Sequence, residues 1–144
     1  MLFMALLYLL AKSFRFELRT TAGRDWQARV MGDPDSDASG VYAPATYIGV
    51  SANTNAPSAA NTTLPGEISV GTLARAQAAY AHTNGQDSYT LTKVFTSDQP
   101  VTLAKAGVFN ASSSGTLVFE GLLEEVATMV SGDQIQITVT VTLD

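Results

Sequence analysis

Residues 134–143 read QIQITVTVTL, and this stretch decides the class of the fold. Every second side chain is apolar, and Gln or Thr occupies each position between them. Successive side chains of a strand point to opposite faces, so a period of two predicts a β-strand with one buried face. The Thr-rich positions suit the other face, which is pleated and half exposed.

The same alternation recurs towards the N-terminus. Residues 14–19 (FRFELR) alternate apolar and charged side chains, and residues 26–30 (WQARV) place Trp, Ala and Val at every second position. Both runs therefore predict strands with one buried face.

Hairpin signals divide the middle of the chain. Four further strands are predicted, over residues 73–82, 89–96, 101–109 and 116–123. Asn84-Gly85 joins the first two, because both residues accept the positive φ of a tight turn. Residues 124–130 are expected to form a helical turn or an irregular crossing. Short strands at this spacing predict an all-β fold, either an antiparallel β-sandwich or a jelly-roll-like barrel.

Two stretches have the composition of loops. Residues 32–40 (GDPDSDASG) are acidic and rich in turn formers, and residues 51–66 (SANTNAPSAANTTLPG) carry little charge. Loops this long are uncommon in a domain unless they bind something or lie against a partner. We therefore expect both loops to form interaction surface, with a disordered insert as the alternative.

The composition fits one domain and disfavours most enzymes. The chain has 144 residues, of which 46% are hydrophobic and 15% are charged. It contains no Cys, which excludes a disulfide frame, a thiolate metal site and a Cys nucleophile. Any Ser-His chemistry would depend on a single His, so we expect neither an enzyme nor a cofactor.

Charge is distributed unevenly along the chain. The net charge of −5 divides into +3 over residues 1–29 and −8 over the remainder. A basic start can indicate nucleic acid, but these basic residues alternate with apolar ones, and an acidic body repels phosphate. We expect no nucleic-acid partner.

The chain starts with an apolar run. Residues 1–10 read MLFMALLYLL, about half the length of a membrane-spanning helix, so no membrane partner is expected. The run predicts either a short helix or strand packed on its own domain, or an apolar arm that docks on a neighbouring subunit. We divide the chain into an apolar N-terminal arm, residues 1–13, and a single β-sandwich domain, residues 14–144.

Polar residues offer few candidates for chemistry. Asp33, Asp35 and Asp37 have the spacing of calcium ligands, but Ala38 and Pro44 stand where an EF-hand requires Gly and Glu. A solvated acidic turn is expected there, with a looser oxygen-ligand site as the alternative.

The single His does not mark an active site. His82 lies at a strand end, and Asp87 and Ser88 are its local candidates for an acid and a nucleophile, but no pattern marks them as catalytic. Arg75 and Lys93 interrupt the apolar alternation, and we expect both to be exposed rather than paired with a neighbour.

From residue 45 onward the chain resembles small structural proteins of tailed bacteriophages. The segments that carry this resemblance, in order, are residues 45–50 (ATYIGV), 62–68 (TTLPGEI), 71–77 (GTLARAQ), 80–83 (YAHT), 89–95 (YTLTKVF), 106–111 (AGVFNA), 115–119 (GTLVF) and 131–133 (SGD). Proteins of this kind occur as capsid decoration (cement) proteins and as tail or fibre components. The resemblance implies a virion structural protein with a β-sandwich module.

The main expectation from this resemblance is a decoration protein on the outer capsid surface. Its partners would be the major capsid protein, which it would bridge and stabilise, and other copies of itself in a dimer or trimer. In this hypothesis apolar residues of the arm pack on a neighbouring subunit, and the basic residues meet an acidic surface. The expected interface residues are Phe3, Leu6, Leu7, Leu10, Arg15, Arg19, Arg24 and Arg29.

Two alternatives remain at this point. A phage tail, neck or fibre protein would share the β fold but occur in fewer copies. A free binding module would use residues 51–66 and 110–115, which contain no aromatic side chain for stacking on a sugar.

Overall fold

Two four-stranded β-sheets lie face to face across an apolar core. The computed structural model describes the backbone of residues 9–15 and 31–32, and both backbone and side chains of residues 18–30 and 43–143. In chain order the elements are β1 (Leu9–Arg15), α1 (Thr21–Gly32), β2 (Tyr47–Ser51), a 3₁₀ turn (Gly71–Leu73), β3 (Ala76–Gln77), β4 (Ala79–His82), β5 (Ser88–Thr96), β6 (Val101–Phe109), β7 (Leu117–Met129) and β8 (Gln134–Thr142).

The strands follow a sandwich topology. Sheet A has the order β1-β8-β5-β4, and sheet B has the order β3-β2-β6-β7. The pair β1 and β8 is parallel, whereas the other pairs of named strands are antiparallel. The prediction of an all-β sandwich is therefore confirmed.

The period of two in residues 134–143 produces the core as expected. Ile135, Ile137 and Val139 of β8 are fully buried, and Thr or Gln lies between them on the outer face. Their counterparts in the core include Leu91 and Phe95 of β5. Sheet B contributes a facing set of buried side chains, comprising Ile48, Val50, Leu103, Ala106, Val108 and Val118.

The chain passes between the two sheets at both sides of the sandwich. On one side, β3 of sheet B is followed directly by β4 of sheet A, with Ala78 buried between them. On the other side, Arg19 forms an isolated bridge with Phe119 of β7 shortly after β1 leaves sheet A. The connection between β3 and β4 therefore spans one open side of the sandwich, and the bridge at Arg19 lies at the other side.

Residues 26–30, predicted as a strand, lie in helix α1. Thr20 begins the helix as its N-cap, because its Oγ1 accepts a hydrogen bond from the Gly23 amide at 2.9 Å. The same hydroxyl donates to the Leu117 carbonyl at 2.6 Å, which ties the helix start to β7. Apolar residues at i, i+2 and i+4 also occur in helices, and this nonlocal cap decides between the two structures.

Residues 124–130, predicted as a helical turn or irregular crossing, belong mainly to β7. The strand continues to Met129, and its register with β6 shifts between Leu103 and Lys105. Extra residues in β7 at this bulge break the period of two that predicts a strand.

Strand β1 crosses the boundary proposed between the arm and the domain. It includes Leu10 of the apolar run and pairs with β8 from Leu9 to Arg15. Residues 1–8 lie outside the described residues, so the division at residues 13 and 14 stays a prediction.

Candidate interaction surfaces

The long loop after β2 packs on the outer face of sheet B. Leu64 is buried there in a cluster with Phe109 and Leu117, and Tyr47 packs against the same cluster. Because this loop covers an apolar face of its own domain, part of the surface expected from residues 51–66 is used internally.

Arg75 fastens the end of this loop. Its Nε and Nη2 donate to the two carboxylate oxygens of Glu67, each at 2.7 Å, in a bidentate ion pair. Its Nη1 donates to the carbonyls of Ala111 at 3.1 Å and Ser114 at 2.6 Å. The Arg75 side chain is only 9% exposed, so the prediction that it is exposed was wrong.

A fully buried ion pair fastens the middle of the loop. Lys105 Nζ lies 3.8 Å from Glu120 Oε2, and both side chains have no exposed surface. Glu120 Oε1 accepts hydrogen bonds from the Ser58 amide at 2.5 Å and from Asn61 Nδ2 at 2.7 Å. The hydrogen bonds to Glu120 hold residues 58–61 against β7. Lys105 offsets the charge of the buried carboxylate, which would be costly without a partner.

An apolar pocket lies between helix α1 and one end of the sandwich. Its volume is about 340 Å³, and its walls include Trp26, Tyr89 and Phe119. Arg19 also lines it, and its guanidinium donates to the side-chain oxygen of Gln27. The pocket is large enough for a small apolar ligand or a bulky side chain of a partner.

Tyr89, which also lines this pocket, has a titratable phenol. Burial raises the pKa of its phenol above the ordinary value of 10.0, and the nearby Tyr80 phenol raises it further. The Arg19 guanidinium acts in the opposite direction. At neutral pH Tyr89 is therefore a neutral hydroxyl that can donate one hydrogen bond.

The outward positions of β4, β5 and β8 in sheet A carry no charged side chain. We define the outer Thr face as the outward positions of β4, β5 and β8, namely Ala79, Ala81, Ser88, Thr90, Thr92, Val94, Thr96, Gln134, Gln136, Thr138, Thr140 and Thr142. These residues lie on one side of the sheet, because each outward residue of β5 is directly opposite an outward residue of β4 or β8. Lys93 pairs with Ile137, in the inward register with Leu91, and it is half-buried rather than exposed as predicted.

The residues proposed as a partner interface lie in different parts of the structure. Leu10 and Arg15 are in β1, in register with Ile135 and Thr140 of β8. Arg24 is exposed on helix α1. The other members of the proposed set are Arg19 in the pocket, Arg29 on the helix with Asp25 at 3.2 Å, and Phe3, Leu6 and Leu7 outside the described residues.

The residues considered for chemistry are also dispersed. His82 is exposed, and its Nδ1 lies 2.9 Å from the Ser88 carbonyl, where the nitrogen acts as donor. Asp33, Asp35 and Asp37 lie outside the described residues. In the described part of the chain, no group of three or more His, Asp or Glu residues is placed to hold a metal ion. Within the same residues, no helix has the length and apolar character needed to cross a membrane.

Sequence reasoning missed the residues that organise these surfaces. Lys105 and Glu120 carry no local sign of burial, because each occupies the outer side of a strand that only the loop covers. Glu120 of β7 pairs with Gly107 of β6, two residues from Lys105, so the two charged residues become neighbours only in the folded sheet. Their burial could have been suspected only with this register known.

The chain matches a family of phage fibre proteins. The sequence profile described as "Podophage GP4 fiber I protein gp80" matches residues 37–142, which include strands β2 to β8. No curated protein matches the chain, and no solved structure matches it. The match covers nearly three quarters of the sequence, consistent with a structural protein of a tailed bacteriophage. The chain therefore belongs to the podophage GP4 fiber I protein gp80 family.

Proposed function

We propose that this protein is a fibre subunit of a tailed-phage virion rather than a decoration protein of its capsid. The main support for this proposal is the family match over residues 37–142, because the description of that family names a fibre protein. Both roles are those of a bacteriophage structural protein, and the family description favours the fibre role.

The fold supports a structural role of this kind. The loop after β2 is tied down by a bidentate ion pair at Arg75 and by a buried carboxylate at Glu120. These two contacts hold the loop in one conformation. A surface that is already ordered loses less conformational entropy when it binds a neighbour. We propose that the protein works by such contacts and not by catalysis.

The N-terminal segment provides an attachment point in this proposal. Strand β1 lies at one edge of sheet A, and its first described residue, Leu9, is preceded by the apolar residues 1–8. We propose that this segment packs on a neighbouring virion subunit, with Phe3, Leu6 and Leu7 as contacts. Arg24 is exposed on α1 and is available to meet an acidic surface of the same neighbour.

Capsid decoration is the second candidate function, because the small phage structural proteins that residues 45–133 resemble include decoration proteins as well as tail and fibre components. It differs from the fibre proposal in partner and in number. A decoration protein contacts the major capsid protein throughout the shell, whereas a fibre subunit contacts the tail or other fibre chains at a few positions.

Copy number per particle tests the fibre proposal. Purified virions are digested, and peptides of this protein are quantified by mass spectrometry against peptides of the major capsid protein. A few dozen copies or fewer support a fibre, and a fixed ratio amounting to hundreds of copies supports decoration instead. Absence from the particles overturns both virion roles.

Electron microscopy with a labelled antibody then locates the copies. Label on tail appendages is the expected result, and label spread over the head contradicts it. Particles of a phage lacking the gene serve as the control for nonspecific labelling.

A further inference from the structure

Lys105 and Glu120 each have a buried polar atom that makes no hydrogen bond. Their side chains have no exposed surface, and the 3.8 Å between Lys105 Nζ and Glu120 Oε2 is too long for a hydrogen bond. Within the part of the chain that the structure describes, neither atom has a hydrogen-bond partner. Buried polar groups without partners are rare in folded proteins, and a buried ammonium is costly. The ion pair alone therefore leaves the presence of a lysine at this site unexplained.

The carboxamide of Asn61 meets the same carboxylate. Asn61 Nδ2 donates to Glu120 Oε1 at 2.7 Å, whereas Lys105 lies beside Oε2. The backbone amide of Asn61 donates to the Ser58 carbonyl at 3.0 Å, and the Ser58 amide donates to Glu120 Oε1, so the turn that presents Asn61 is fixed. An amine, a carboxylate and a carboxamide therefore lie together under the loop, with the carboxylate in contact with both of the others.

We propose that Lys105 and Asn61 become joined by an intramolecular amide bond, with Glu120 as the proton carrier. Glu120 takes one proton from the ammonium, and the neutral Nζ attacks Cγ of Asn61. The Nζ–Cγ bond forms and the Cγ–Nδ2 bond breaks, while a second proton passes from Nζ to Nδ2 through the carboxyl group. Ammonia leaves, and Glu120 keeps the first proton. Atoms and charge balance without an oxidant or an added reactant.

The buried setting favours this reaction. A lysine must lose its proton before it can act as a nucleophile. Both charges of the pair are cut off from water, which makes transfer of a proton from the ammonium to the carboxylate easier. The fold also holds both reacting side chains on one carboxylate, so the step requires no encounter between separate molecules. The product contains neither the buried ammonium nor the buried carboxylate charge.

The amide bond fastens the long loop to β6. It closes the chain between residues 61 and 105 into a covalent ring, in a protein that has no Cys for a disulfide. A cross-link of this kind restricts the unfolded chain and so stabilises the folded one. This inference goes beyond the fibre proposal and does not depend on it, because the reaction takes place within one folded chain.

Mass spectrometry of the purified full chain tests the proposal. Release of one ammonia lowers the intact mass by about 17 Da relative to the sequence. Trypsin does not cleave after an acylated lysine, so digestion of the denatured protein should leave residues 30–75 joined to residues 94–144. This linked peptide distinguishes the amide bond from cyclisation at Asn84-Gly85, which also releases ammonia.

Three variants assign the bond to its residues. Asn61→Ala removes the carbonyl that is attacked and keeps the pair of Lys105 and Glu120, so we expect the full sequence mass and cleavage after Lys105. Glu120→Gln removes the proton carrier with little change of shape and should also give the full mass. Asn55→Ala, at an exposed position of the same loop, is the matched control and should retain the linked peptide.

Circular dichroism shows that each variant is folded before its mass is compared. The proposal is overturned if the unaltered chain, after prolonged incubation in the folded state, has the full sequence mass and is cut after Lys105. A linked peptide from Asn61→Ala also overturns it. Formation of the bond in Glu120→Gln as fast as in the unaltered chain overturns the role of the carboxylate.

Discussion

The guanidinium of Arg75 lies over the ring of Phe109, 3.3 Å from its centroid, while the same group makes a bidentate ion pair with Glu67. Phe109 is itself part of the cluster that receives Leu64 of the long loop. One side chain thus joins the loop, the end of β6 and the Ser-rich turn at residues 111–114 through contacts of three different kinds.

Replacing this side chain should destabilise the fold. Arg75→Met is expected to lower the free energy of unfolding by about 3 kcal/mol, because it leaves the Glu67 carboxylate without its partner. Arg24→Met, on the exposed side of α1, is expected to change it by less than about 0.5 kcal/mol. Urea denaturation monitored by circular dichroism measures both, and similar values for the two variants would contradict this role of Arg75.

The buried pair of Lys105 and Glu120 gives a prediction about the loop. Glu120→Ala removes the acceptor of the Ser58 amide and leaves the ammonium of Lys105 buried, so we expect a loss of about 3–5 kcal/mol. Limited proteolysis should then cut within residues 52–63 faster than in the unaltered chain. The double change Lys105→Met and Glu120→Met is expected to be less destabilising than Glu120→Ala, and a larger loss would show that the charges themselves stabilise the fold.

Helix α1 is expected to depend on its first turn. A Cβ at Gly23 would clash with the Val118 carbonyl, so Gly23→Ala should displace the helix from β7. Trp26 is the single Trp of the chain and is half-buried, and its fluorescence emission should therefore shift to longer wavelength in this variant. Ala28→Gly, at an exposed position of the helix, serves as a control that weakens the helix by about 1 kcal/mol without a clash. An unshifted emission for Gly23→Ala would contradict the tight packing of α1 on β7.

Tyr89 should make the fold sensitive to alkaline pH. Its pKa is raised by burial in the folded chain, so the unfolded chain releases the phenolic proton first as pH rises above 10.0. Stability is therefore unaffected by this group below that pH and decreases above it. Thermal unfolding followed from neutral to alkaline pH should show a steeper loss for the unaltered chain than for Tyr89→Phe. Parallel curves for the two proteins would contradict the raised pKa.

The segment before β1 should be separable from β1 itself. Deleting residues 2–8 is expected to preserve thermal stability and to reduce incorporation into virions, because the proposed arm acts on a neighbour. Deleting residues 2–15 also removes the ladder with β8 and should cost about 3 kcal/mol of stability. Melting curves and the copy number in complemented virions measure the two effects. Normal incorporation of the shorter deletion would rule out the arm.

The strands were predictable where alternation is uninterrupted. β8 begins and ends within one residue of the predicted run, because a half-buried strand carries its burial pattern in its own sequence. β6 also occupies the predicted residues 101–109, although consecutive side chains are buried from Leu103 onward and its sequence does not alternate. Helix α1 was missed because its cap bonds to Leu117, almost a hundred residues away. The extension of β7 was missed because its bulge breaks the period of two.

The surfaces were less predictable than the strands. Residues 51–66 were expected to be interaction surface from length and composition, but those properties do not indicate that Leu64 finds an apolar site on sheet B. The burial of Arg75 was missed for the same reason, because its ion pair with Glu67 forms only after the loop has folded over the sheet.

The parallel pairing of β1 with β8 has a mechanical consequence. These strands lie close to the two ends of the described chain, and seven residues of β1, Leu9–Arg15, are in register with β8. A pull applied between the ends draws the two strands along each other, so the hydrogen bonds of the ladder carry the load together instead of opening one after another. Shear of this kind requires a larger force than peeling, so the parallel pair is expected to resist a pull directed along its strands.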